Sequence, residues 1–343
     1  METNLMNELA ETAQRWRADG QRVALATVAA TWGSAPRRAG SKMLVNESMV
    51  MAGSVSGGCV ESAVVEEALA TLKTGRPKLL RYGVSDDTAW EVGLACGGTI
   101  SVFVEPLPET WWQTITQAAA DNVALVTATV LDGDLAGSRV TVAGHGDIVY
   151  ASPELTDEMT GTLAAVASKP FSGIETVAGY SVMVDVLERR PHLVLIGGVH
   201  VGIALQQLAR ALGMRVTLID PRRAFATKER FPDVDQIVNA YPQHALPQLE
   251  LDQDTYIAVL THDPKIDDPA LQIALESNAA YIGVLSSRRT HQLRVERLKA
   301  AGVTDEALAR IRTPIGLDIG AQTPEEIALA ILAEIVAVRR GKA

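Results

Sequence analysis

Apolar residues recur at helical spacing from the start of the chain. Leu5, Met6, Leu9, Ala10, Ala13 and Trp16 share one face of a helix expected over residues 3–17, and Gly20 supplies its stop. RVALATVAA at 22–30 predicts a strand, followed by the loop TWGSAPRRAG. Short paired strands are expected at 43–45 and 49–53 around Asn46-Glu47, and a helix from Cys59 to just before Gly75. Strands at 78–84 and 99–107 flank a loop containing EVGLACGG. Residues 1–108 thus form a first block that mixes strands and helices. The next block, 109–188, has a weaker pattern. ALVTATVL, SRVTVAG and SVMVDVLE read as strands, and the stretch near 152–162 as loop or helix. It is expected to be a strand-rich connecting region.

The third block, 189–343, alternates strands and helices. HLVLIGG, RVTLID, TYIAVLTHD and AYIGVLSS are strands, separated by the helical stretches VGIALQQLARALG, DPALQIALES and RRTHQLRVERLKAAG. The last helix opens on Thr323-Pro324-Glu325-Glu326, a capping box with proline at the first helical position, and Ile327, Ile331, Leu332 and Ile335 make its apolar face. Strand cores without polar alternation belong to parallel sheets covered on both sides. The expected fold class is therefore α/β, with an N-terminal mixed α+β domain followed by a C-terminal Rossmann-like doubly wound parallel sheet.

Composition narrows the function. The balance of 47% hydrophobic to 21% charged residues is that of a folded chain, and with only 4% aromatics the core must be aliphatic. Thirty-one basic residues against 41 acidic ones leave a net charge of −10, which speaks against nucleic-acid partners and against attraction to an anionic membrane. No apolar run is long enough to span a bilayer, and the acidic, amphipathic N-terminus lacks a signal layout, so a cytoplasmic protein is expected. Two cysteines without a CxxC cannot complete a four-ligand zinc site, and in a reducing compartment free thiols are expected.

Several constellations could carry chemistry. In Gly53-Ser54-Val55-Ser56-Gly57-Gly58-Cys59-Val60-Glu61, the small residues permit close backbone approach, and Cys59 falls at an expected helix start, where amides and dipole favour a thiolate. The alternative is a buried cysteine behind a tight turn. Cys96 and Gly97 stand at a second glycine pair. Ser34, Arg37, Arg38 and Lys42 lie on a loop suited to an anionic group, or simply solvated. Gly197-Gly198-Val199-His200-Val201-Gly202, with Asp220 ending the next strand, has the position of a dinucleotide-binding turn. There Val199 occupies the place where the fingerprint needs its second glycine, so binding of NAD(P) is in doubt. His262, Asp263, Ser287 and Arg288 follow strand ends, where open α/β sheets place ligands, although Asp263 and Ser287 equally suit helix N-capping.

Taken in order, GSAPRRAGSKMLV, GSVSGGCVESAV and CGGTISVFVEP resemble the N-terminal domain of the XdhC/CoxI family. RPHLVLIGGVHVG, VTLIDPR, THD, YIGVLSSRR and PIGLDIGAQTPEEIALAILAEIVAVR resemble its C-terminal Rossmann domain. The resemblance implies an accessory chaperone for molybdenum hydroxylases such as xanthine dehydrogenase. It would bind molybdenum cofactor (molybdopterin), protect it during sulfuration and deliver it to the apo-enzyme, with a cysteine desulfurase as a further partner. Cys59 matches the cysteine of the family's GGC motif, which makes it the first candidate for cofactor contact and a possible molybdenum ligand. Two rival readings stand beside this one: an NAD(P)-dependent oxidoreductase built on the Rossmann domain, and a transferase or hydrolase with Cys59 as nucleophile. The latter would need a base from afar, since no histidine precedes His145. The apolar face of helix 325–338 suits a homodimer or burial within the monomer.

Overall fold

The computed structural model describes residues 2–33, 37–83, 98–144, 146–169 and 171–342. The chain divides into two compact units, Glu2–Arg189 and Arg190–Ala343. In the first unit, α1 (Glu2–Ala18) precedes β1 (Val23–Trp32), β2 (Lys42–Asn46), β3 (Met51–Gly53), α2 (Glu61–Thr74), β4 (Lys78–Tyr82) and β5 (Thr99–Pro106). The strands form an antiparallel sheet in the order β3-β2-β1-β5-β4. Its central strand is buried on both faces because both are covered. Ala24, Ala26 and Val28 pack with Val64, Val65 and Ala68 of α2. Leu25 packs on the opposite face with Leu9 and Trp16 of α1.

The second block begins with a helix, α3 (Glu109–Ala120), at a place where the sequence pattern shows no clear period. Adjacent tryptophans and interspersed threonines blur the spacing, but Trp111, Trp112, Ile115 and Ala119 are the buried positions and fall on one helical face. β6 (Leu125–Val130), β7 (Arg139–Ala143), β8 (Asp147–Ala151), α4 (Asp157–Ala167), β9 (Gly173–Val177) and β10 (Tyr180–Leu187) follow. Their strands make a second antiparallel sheet, β8-β7-β6-β10-β9, with α4 packed on it through Leu163 and Ala167. Ala29 and Phe103 of the first sheet join Leu131 and Met183 beside the second in one buried cluster. A buried ion pair between Arg139 and Glu105 also ties the two together. Residues 109–188 therefore share one compact unit with the first block.

The second unit contains β11 (His192–Ile196), α5 (His200–Ala211), β12 (Arg215–Ile219), β13 (Gln236–Val238), β14 (Thr255–Val259), α6 (Pro264–Glu276), β15 (Tyr281–Val284), α7 (Arg288–Ala300), β16 (Ile311–Arg312) and α8 (Pro324–Arg339). The sheet is parallel throughout, in the order β13-β12-β11-β14-β15-β16. This is the doubly wound order whose direction reverses between the first and fourth strands, here β11 and β14. Leu193, Leu195 and Ala258 face α5 and α8. Val194, Ile257 and Val259 face α6 and α7. Burial on both sides explains why these strands carry no polar alternation.

Candidate functional site

Strand register brings the strand ends that flank three sequence motifs to one end of the first sheet. Trp32 pairs with Thr99, Tyr82 with Ile100, and Met43 with Gly53. Trp32, Lys42, Gly53, Tyr82 and Thr99, the strand ends next to these motifs, therefore lie toward the same end of the sheet. Ser54 N–H donates to the Lys42 carbonyl at 3.2 Å, fastening the second loop to the end of the first. Ser34, Cys96, Gly97 and residue 84 of the expected strand lie outside the described residues.

The loop before Cys59 is organised by a residue to which the sequence reading gives no role. The Glu61 carboxylate accepts from the backbone N–H groups of Val55 at 3.2 Å, Ser56 at 2.8 Å, Gly57 at 2.9 Å and Gly58 at 2.8 Å. It also accepts from Ser54 Oγ at 2.7 Å and from Ser56 Oγ. Ser56 Oγ in turn accepts from Cys59 N–H at 3.0 Å and Val60 N–H at 2.9 Å, closing the start of α2. Burial pushes the Glu61 carboxyl up, but the hydrogen bonds from Ser56, Ser54 and Gly58 outweigh it and bring its pKa to about 2. The amides of Ser56, Gly57 and Gly58 thus cradle an internal carboxylate. Gly57 and Gly58 hold positive φ of 80° and 120°, both exposed, and open space lies where a Gly58 Cβ would be. Cys59 is a free cysteine, half-buried at the rim of the Val55–Val60–Val64 cluster. Glu61 is the first residue of α2, directly after its N-cap Val60, and an acidic residue in a first helical turn behind a glycine pair is the sequence signal that marks it.

The cations of the first loop divide. Lys42 is buried and pairs with Asp185 of β10, and its Nζ also donates to the Gly40 carbonyl at 3.0 Å. Its charge is therefore answered inside the protein. Arg38 lies 3.6 Å from Glu188. Arg37, half-buried, makes no ion pair among the described residues. Among those residues no three His, Cys, Asp or Glu side chains gather as a metal-binding group.

In the Rossmann unit, the glycine turn is closed by the protein's own chain. Asp220 is fully buried and accepts from Gly198 N–H at 2.8 Å. It also takes Arg222 N–H and Nε at 2.9 Å each and Nη2 at 2.7 Å. Burial raises its pKa, but these bonds pull it below the usual carboxylate range. A Cβ on Gly198 would overlap the Phe225 carbonyl, and one on Gly197 the Thr261 side chain. The acid needed for a ribose and the amide needed for a pyrophosphate are thus bonded to each other, and the residues present do not fit NAD(P). His200 and His262 are exposed. Asp263 caps α6 by accepting from Lys265 N–H at 2.9 Å, and Ser287 caps α7 by accepting from Thr290 N–H at 3.2 Å. The Arg288 side chain lies outside the described set.

Residues 16–83 match the XdhC and CoxI family, and residues 193–335 match the XdhC Rossmann domain. A Bacillus subtilis protein, named as a probable component of xanthine dehydrogenase, is 28% identical, with 94% of each chain covered. The Escherichia coli molybdenum cofactor insertion chaperone PaoD is 28% identical over 93% of this chain and 84% of its own. The Escherichia coli protein YqeB is also 28% identical over 92% of this chain, which spans only 43% of its length. A solved Bacillus halodurans structure, described as a xanthine dehydrogenase, superposes with a TM-score of 0.80 at 24% identity, covering 98% of this chain and 96% of the other, and so shares the fold.

Proposed function

We propose, because this chain belongs to the XdhC and CoxI family, that it binds molybdenum cofactor and passes it to an apo molybdenum hydroxylase, with no turnover chemistry of its own. One observation carries the reading. Cys59 stands half-buried on a loop fixed by Glu61, which leaves the sheet at the end where β1 and β4 finish and β2 and β5 begin. The thiol is a soft donor for molybdenum, the bare backbone of Gly57 and Gly58 leaves room for a flat pterin, and Arg37 suits its phosphate. The name of PaoD supports the insertion role. Protection of the cofactor during sulfuration, with a cysteine desulfurase as partner, is the finer step this reading includes.

The site is cytoplasmic in this reading, in keeping with the net charge of −10 and with the lack, among the described residues, of any helix long and apolar enough to cross a membrane. The face of α8 made by Ile331, Leu332 and Ile335 is buried in the core of the second unit, so burial within the monomer accounts for it, and a homodimer would have to use exposed Leu329 and Val336 instead. The oxidoreductase reading is disfavoured by the closed contact between Asp220 and Gly198.

The test is co-purification from a molybdenum-replete host, followed by oxidation and pterin fluorescence. Stoichiometric pterin is expected in the native chain, and occupancy should fall by about tenfold in Cys59→Ala with an unchanged circular dichroism spectrum, equivalent to about 1.4 kcal/mol. A native chain without pterin refutes the proposal, and full occupancy in the variant removes Cys59 from the site.

A further inference from the structure

Arg294, on α7, is buried, with its side chain 2% exposed. Its Nη2 donates to Asp267 Oδ2 at 2.8 Å. Nε stands 4.0 Å from Asp268 Oδ1, too far for a hydrogen bond, and both Nε and Nη1 lack a hydrogen-bond partner among the described residues. One turn earlier on the same helix face, His291 Nδ1 is also buried and unpartnered. A buried charged donor with no acceptor is strongly unfavourable, so this pair of side chains calls for an occupant rich in acceptor atoms.

The position suits a ligand. Asp267 lies in the opening turns of α6, and its other oxygen takes Thr261 Oγ1, just past the end of β14. α7 starts directly after β15, capped by Ser287. Arg294, midway along α7, therefore reaches through Asp267, in the first turn of α6, toward Thr261 at the carboxyl edge of the parallel sheet. Asp268 is already held by Arg297, at 2.5 Å and 3.0 Å, and Asp267 by Arg294.

We infer that Arg294 and His291 form a binding site for a small oxyanion of the phosphate class, between α6 and α7 and apart from the closed glycine turn. Several acceptor oxygens on one group answer the free guanidinium N–H bonds and a proton on His291 Nδ1 together. The site does not depend on cofactor binding by the first unit.

Isothermal titration of the full chain with inorganic phosphate, adenosine 5′-monophosphate and adenosine tests it. Saturable heat is expected with free phosphate, with the monoester or with both, and none with adenosine; whichever binds more tightly identifies the free ion or the esterified group as the occupant. His291→Asn and Arg294→Lys should each weaken phosphate by about tenfold, or about 1.4 kcal/mol. His291 makes no side-chain hydrogen bond among the described residues, so its replacement strands no partner and decides the matter even if Arg294→Lys fails to fold. No saturable heat with either phosphate would mean that water fills the gap and would overturn the inference, as would unchanged affinity in His291→Asn. Phosphate binding lost only on Arg37→Ala with Arg38→Ala would move the anion to the first unit, overturning this site while favouring the cofactor reading.

Discussion

Replacing Glu61 by glutamine removes the charge around which residues 54–58 are wrapped. The amide keeps one accepting oxygen but turns an NH2 group toward donors that now face a carboxylate, Gly58 N–H and Ser56 Oγ among them. The size of the effect follows from the proton linkage. A carboxyl moved from 4.5 to about 2 by folding corresponds to about 3 kcal/mol at neutral pH. Because Gly57 and Gly58 are open to water, screening reduces this to about 1–2 kcal/mol. The folded pKa is the lower one, so the stabilisation is complete above the unfolded value and disappears as pH falls toward about 2. Urea denaturation of the native chain and Glu61→Gln should show a gap of that size at pH 7, narrowing as the pH is lowered through 4 to the acid limit of folding. Peptide-level mass spectrometry should also find Cys59 alkylated faster in the variant, because the loop that presents it is loosened. Equal stability at pH 7, or a gap that does not change with pH, would refute the claim that the carboxylate organises this loop.

Asp185→Ala leaves Lys42 buried without its counter-charge and should cost about 3–5 kcal/mol in urea denaturation; a loss below about 1 kcal/mol would mean water reaches the lysine. NADH and NADPH should give no saturable fluorescence change, since Asp220 is closed off by Arg222 and Gly198; saturation would show that residues 221–226 swing away. Thr323→Ala breaks the capping box with Glu326 and should lower stability by about 1 kcal/mol, read as a drop in thermal midpoint, with Thr323→Ser restoring most of it.

The Rossmann unit was readable because its signals are local. Strands such as HLVLI and TYIAV are apolar at every core position, glycines mark their ends, and the capping box at Thr323 forms as its spacing requires. One boundary shifted. The helix expected from Asp268 begins at Pro264, because Asp263 caps it and Pro269 is carried within it. Legibility fails where a residue's partner is remote in the chain. Nothing near Lys42 announces Asp185, 143 residues away, so a lysine on a basic loop looks available for an anion when it is already paired. Asp220 misleads in the opposite way. Its place at the end of β12 fits a ribose contact, but Arg222, two residues later, takes both of its oxygens. The gathering of the strand ends next to these motifs could not be seen either, since it depends on antiparallel register rather than on any motif.

The cluster of Ala29, Phe103, Leu131 and Met183 has a practical corollary for anyone dissecting the molecule. A fragment trimmed to the matched stretch 16–83 discards β5, the neighbour of β1, and one ending at 108 bares Phe103 to solvent. Scissors belong between Arg189 and Arg190, where domain exchange among relatives would leave each half its own interior.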